Sequence, residues 1–137
     1  MKINNKLSVV VTLAVIVAGN VAASYHKDDK PKYVNLKVLP KNISTHDLQS
    51  IMTDEFDDDL GVSCGFCHAT NPDTHGLDYA SDAKPEKAIA REMMRMTLAL
   101  NKKYMKIKHP AIGNAGLAVT CNTCHKGLPV PEGSEPE

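Results

Sequence analysis

The 137-residue chain has room for one domain with a modest core, and 42% hydrophobic with 23% charged residues is an ordinary balance for a globular protein. Sixteen basic and sixteen acidic side chains cancel, which excludes the basic footprint of a nucleic-acid binder and a strongly acidic surface. Two Phe and no Trp leave aromatic bulk scarce, so large flat apolar surfaces would have to come from a bound group rather than from side chains.

At the N-terminus Lys2 and Lys6 precede an apolar run from Leu7 to Ala18, and Val21-Ala22-Ala23 offers small residues where a signal peptidase cuts. Residues 1–23 are therefore expected to be an export signal cleaved after Ala23. The run is shorter than the ~20 apolar residues of a membrane span, and a retained anchor is the alternative. No cysteine is near enough for a lipid thioether. Cleavage removes two lysines and no acids, leaving 14 basic against 16 acidic side chains.

Residues 24–41 read as an extended lead-in, because Pro31 and Pro40 interrupt any long helix, with Val34, Leu36, Val38 and Leu39 available to pack on the domain. Ser44 or Thr45 then caps a helix with Asp47 in its first turn and a stop at Gly61. Leu48, Ile51, Met52 and Phe56 form its apolar face, opposite Asp54, Asp57 and Asp58. A turn-rich loop covers Ala69 to Ser81. Asp82 and Pro85 open a longer helix running to about Tyr104, whose Ile89, Met93, Met96, Leu100 and Tyr104 recur at helical spacing. Lys106 to Ala118, with Pro110, Gly113 and Gly116, is a loop. Residues 128–137 hold three prolines and three glutamates and are expected to be a disordered tail. The predicted fold is mainly α, two amphipathic helices and long loops with little or no sheet.

All four cysteines fall in two segments of one kind, Cys64-Gly65-Phe66-Cys67-His68 and Cys121-Asn122-Thr123-Cys124-His125. Two cysteines at this spacing can each form a thioether to a porphyrin vinyl group, and the adjoining histidine then ligates the iron. With six histidines in 137 residues, chance places one after both pairs only about two times in a thousand. A disulfide or thioredoxin-like pair is the first competing reading, but the latter belongs at a strand-to-helix junction that this pattern lacks. One zinc bound by four thiolates is the second, and it leaves both histidines unexplained. The expectation is two covalently bound haem c groups in a dihaem domain of residues 42–127. Cys64, Cys67, Cys121 and Cys124 would attach them, with His68 and His125 as proximal ligands.

A six-coordinate haem takes a second ligand, from Met52, Met93, Met94, Met96, Met105, His26, His46, His75 or His109 in this chain. Helical faces favour Met52, Met93 and Met96 over Met94. Most methionines in such patterns fill cores, and the four histidines read as solvent-exposed loop residues.

The blocks Asn35 to Leu39, Ile51-Met52, Cys64 to His68, Tyr79 to Asp82, Ala90 to Thr97 and Val119 to Gly127 occur in an order that resembles the cytochrome subunit of the photosynthetic reaction centre of purple bacteria. The resemblance implies that a helix before each attachment segment supplies the opposite ligand, usually methionine. Met52 matches the first position and Met93 the second, with Met96 the fallback. That subunit carries four haems, so this chain looks like one half of it. The family also places a haem-ligating histidine before the second segment, and His109 lies in the comparable loop, twelve residues before Cys121.

The expected function is electron transfer between redox proteins or membrane electron-transfer complexes in the periplasm or another exported location, with no catalytic residues. A membrane location follows only if residues 1–23 are retained. A peroxidase-like haem enzyme and a subunit of a larger respiratory complex are the alternatives. The acidic stretch Asp54 to Asp59 and the lysines 102, 103, 106 and 108 are candidate steering charges.

Overall fold

The computed structural model describes residues 33–134, so the expected export signal, His26 and the last three residues of the tail lie outside the described residues. The described chain is mainly helical, with one two-stranded sheet and long loops. Helix α1 spans Thr45–Ser50 and continues without a break as a π-helix over Ile51–Asp58. Short helix α2 is Cys64–Cys67, strands β1 and β2 are Ala69–Thr70 and Leu77–Asp78, α3 is Pro85–Lys103, and α4 is Cys121–His125. The strands pair antiparallel, Ala69 opposite Asp78 and Thr70 opposite Leu77.

Local chemistry sets the boundaries. Ser44 is the cap of α1, its Oγ accepting from the Asp47 amide at 3.0 Å, and Asp47 supplies the acid of the first turn. The helical stretch ends before Gly61, whose φ of +64° suits glycine. Between these points the register widens, which the sequence pattern does not foretell. The Thr53 hydroxyl lies 3.1 Å from both the Gln49 and Ser50 carbonyls and 3.0 Å from Asp54 Oδ1, so its one proton competes with the backbone amides where the turn opens.

Pro85 occupies the first turn of α3, where its missing N–H costs nothing. Asp82 does not cap this helix. Its carboxylate instead receives Asn35, Lys37 and Arg91.

The core is small: Leu39, Ile51, Met94 and Ile112 are buried together, with Leu36, Val38, Ile43, Leu48, Met52, Phe56 and Leu98 packed around them. The lead-in therefore packs as expected, except that Val34 is exposed. On α3 the buried residues are not those of the apolar stripe. Arg91, Met94, Thr97 and Asn101 are buried, while Ile89, Met93, Met96 and Tyr104 are exposed. The polypeptide core thus uses a different face of α3 from the apolar stripe, and that face tolerates Arg91 and Asn101 because each meets hydrogen-bond partners there. Gly113 lets the loop after α3 close on the first helix, since a Cβ there would lie 2.6 Å from Ile51 Cγ1. Among the described residues no helix is long and apolar enough to cross a membrane.

Candidate haem sites

Around the first CxxCH segment the chain builds a cavity of about 670 Å³, within the range of small-molecule and cofactor pockets. One wall is the helical stretch, through Leu48, Met52 and Phe56; another is the lead-in, through Leu36, Val38 and Leu39; Cys67, His68, Tyr79 and Met94 complete it. Met52 and His68, expected to be opposite ligands, line the same cavity. Its polar edge is cationic, with Lys37, Lys87 and Arg91.

That edge is a network. Arg91, with its side chain only 9% exposed, donates from Nη1 to Asp82 Oδ1 at 2.8 Å and from Nη2 to the Asn35 carbonyl at 3.2 Å. Lys37 Nζ pairs with Asp82 Oδ2 at 2.6 Å, and Asn35 donates to Asp82 Oδ1 at 2.8 Å and to the Ala80 carbonyl. The Lys37 and Arg91 bonds hold the Asp82 carboxyl far below the usual carboxylate range. Lys87 Nζ donates to the carbonyls of Tyr79 and Ser81, both at 2.7 Å, and burial followed by the neighbouring Arg91 lowers its pKa.

His68 carries the clearest mark of a missing partner. Its Nδ1 is buried without a hydrogen bond, its ring meets Tyr79 edge-on at 5.0 Å, and burial, then Lys87, push its pKa below the ordinary histidine value against the opposing pull of a bond to the Tyr79 backbone. A neutral imidazole is the form that ligates iron. Burial also raises the Cys67 thiol.

The second segment is held differently. Asp59, just past the π-helix, accepts the Asn122 amide on Oδ2 at 3.2 Å and the Gly127 amide on its carbonyl at 2.9 Å. Gly61 abuts the Gly127 carbonyl oxygen, which leaves no room for a side chain. Cys121 sits against Glu55 and Asp59, their ligand atoms within 4.8 Å of one another, and burial plus the Glu55 carboxylate push its thiol up to about 12. Sequence reading missed this contact, since nothing in the spacing brings residue 59 to residue 122. His125 Nδ1 lies 2.9 Å from the Leu128 carbonyl, and only a protonated Nδ1 can bond there. A backbone carbonyl on Nδ1 is the arrangement by which a metal-binding histidine is oriented.

The four cysteines do not converge on one point: among the described residues the only metal-capable group of three is Glu55, Asp59 and Cys121, and neither CxxC pair is disulfide-bonded. A four-thiolate zinc site therefore has no basis in the fold. The first segment fits haem in donor set and surroundings, with an apolar cavity and an orphaned imidazole nitrogen, and the second fits it in donor set, with an imidazole held at Nδ1. Met93 and Met96 lie on the exposed face of α3, while Met94 is core. Met105, His46, His75 and His109 are exposed.

The sequence model described as photosynthetic reaction centre cytochrome c subunit matches residues 4–134. The chain belongs to that family. It is a c-type cytochrome, with covalently bound haem. Among its family relatives, cytochrome c-554 of Chloroflexus aurantiacus is 32% identical over 99 residues, covering 72% of this chain and 22% of that protein. The photosynthetic reaction center cytochrome c subunit of Rubrivivax gelatinosus is 36% identical over 69 residues, covering 50% of this chain and 15% of that one. The matched region thus spans about a fifth of these family members or less. No solved structure matches.

Proposed function

We propose that this cytochrome is an exported dihaem electron carrier that works between redox proteins or membrane electron-transfer complexes. The observation that carries the proposal is the pair of CxxCH segments, with His68 lining the apolar cavity and His125 held at Nδ1 by the Leu128 carbonyl. In this reading Cys64 and Cys67 attach one haem and Cys121 and Cys124 the other. Met52 would pair with His68 and Met93 with His125 as the second ligands, with Met96 the fallback. Residues 42–127 form the dihaem domain, residues 1–23 are removed after Ala23, and 128–137 are a tail.

Bound haem supplies a one-electron couple. The chain's own residues do the rest. Met52 and the apolar wall from Leu36 to Phe56 shield the first site from water, and thioether ligation favours a higher potential than a second imidazole would. Lys37, Lys87 and Arg91 place positive charge at the cavity's edge, where acidic groups of a bound cofactor are stabilised.

Intact mass after acid and denaturant is the first test, with an expected excess of two haem masses over the polypeptide beginning at Ser24. A redox titration of the same protein should show two couples, and the reduced protein should bind carbon monoxide weakly or not at all at neutral pH. Stoichiometric carbon monoxide binding with sustained peroxide turnover would replace the carrier reading with an enzyme.

A further inference from the structure

Asn101 is the one side chain among the described residues that is both large and fully buried, at 0% exposure. An amide has two donor hydrogens and two acceptor lone pairs, and Asn101 uses all four. Nδ2 donates to the Thr97 carbonyl at 2.9 Å and to the Val119 carbonyl at 2.7 Å; Oδ1 accepts the Ala118 amide at 2.9 Å and the Val119 amide at 3.1 Å. It therefore grips Val119 by both backbone groups, as a neighbouring strand would, two residues before Cys121. The Asn101 carbonyl also accepts the Ile107 amide at 3.1 Å, so the loop that leaves α3 and the chain that re-enters at the second segment close on this one residue.

We propose that Asn101 is the positioning residue of the second haem: it fixes the backbone entering Cys121–His125 against α3, and so holds His125 and the exposed methionine face of that helix in one relation. The inference rests on the reading of Cys121–His125 as an attachment segment with Met93 as opposite ligand. An apolar residue could fill the same volume, but it would free the Ala118 and Val119 backbone groups to seek other partners and would let the segment drift. None of the residues that bond Asn101 lines the first cavity, so the effect should fall on one haem.

The experiment compares the holoprotein with Asn101→Ala, Asn101→Asp and Met93→Ala, reading potential and carbon monoxide binding for each haem alongside unfolding. Asn101→Ala should keep both haems attached, make one haem equivalent reactive to carbon monoxide, and lower the second potential by about 59 mV or more, a tenfold change in its equilibrium. The first potential should not move. Asn101→Asp keeps the acceptors but offers at most one donor hydrogen for the Thr97 and Val119 carbonyls, so its second haem should be perturbed in the same sense as in Asn101→Ala. A second haem unchanged in Asn101→Ala and Asn101→Asp while only stability falls, or two haems disturbed alike, would overturn the inference. Should Met93→Ala leave the second haem saturated, the ligand reading fails, and Asn101 is then judged on the second potential alone.

Discussion

The two CxxCH segments are secured by different physics. Around Cys67 and His68 the chain makes walls: residues from the lead-in, the α1 and π-helical stretch and α3 enclose a cavity whose apolar lining merges with the core. Around Cys121 and His125 it makes ties, to Asp59 and Asn101, with Gly61 against the Gly127 backbone, and Cys121 sits beside the acidic Glu55 and Asp59. The first is held by burial, which is non-directional and shared among many residues. The second is held by hydrogen bonds to backbone, which are directional and concentrated in a few. Damage to the first should therefore be graded and global, and damage to the second abrupt and local.

The largest effect that sharpens this contrast is loss of a haem outright. On the proposed reading Cys64→Ser with Cys67→Ser removes one haem, and because the vacated cavity opens onto Leu39 and Met94, the whole domain should lose cooperative unfolding. Cys121→Ser with Cys124→Ser should remove the other and leave the first haem's spectrum and potential in place. Haem content by mass, with thermal unfolding, checks both, and equal loss of stability in the two doubles would break the comparison.

Adjacent methionines on α3 offer a smaller and cleaner test. Met94 is 7% exposed and part of the core, so Met94→Ala should cost about 2–5 kcal/mol of stability and leave iron ligation alone. Met93 is 39% exposed, so Met93→Ala should cost little in packing but change the coordination of the second haem. Denaturant midpoints and the near-infrared ligand band separate the two. The reverse pattern would mean that α3 turns its other face to the iron.

Next in size is Gly61→Ala. A Cβ there meets the Gly127 carbonyl, a backbone atom that cannot step aside, at a φ of +64° that other residues resist. The expected cost is about 1–3 kcal/mol. It should disturb the second haem more than the first, since Gly127 closes the second segment, and haem-resolved potentials would show which.

These tests also mark what was legible. Ser44, Pro85 and Gly61 act where their backbone chemistry says they must, and Leu39 and Ile51 are core because apolar residues at those spacings have few alternatives. The stripe on α3 is legible as an amphipathic face, and Ile89, Met93, Met96 and Tyr104 on it are exposed. Periodicity counts apolar residues and is silent about what covers them, and on the proposed reading the cover is not polypeptide. Arg91 and Asn101 were passed over for the converse reason: a buried polar side chain is affordable only where partners converge, and Asp82, Asn35 and Val119 converge on them only in three dimensions. The π-helix was equally hidden, because its register depends on where the Thr53 hydroxyl bonds.

The smallest effect concerns acid. Asp82 lies at the polar edge of the first site, where Lys37, Arg91 and Asn35 bond its carboxylate and Lys87 adds a further nearby positive charge. These groups depress its folded pKa, so the unfolded chain binds the proton more tightly than the folded one and stability rises with pH. The contribution is therefore fully present above the unfolded aspartate value of about 3.9 and is lost as pH falls from there toward the folded pKa. Asp82→Asn removes the charge at every pH, so the variant should be less stable than the parent at pH 7, and the gap should narrow as both are taken below pH 4. Because the Asp82 side chain is 40% exposed, the gap at pH 7 should also shrink with added salt. Denaturant midpoints of the holoproteins at pH 7, 4 and 3 decide it. A gap that stays constant with pH would mean that Asp82 contributes through hydrogen-bond geometry which asparagine cannot copy, rather than through its charge.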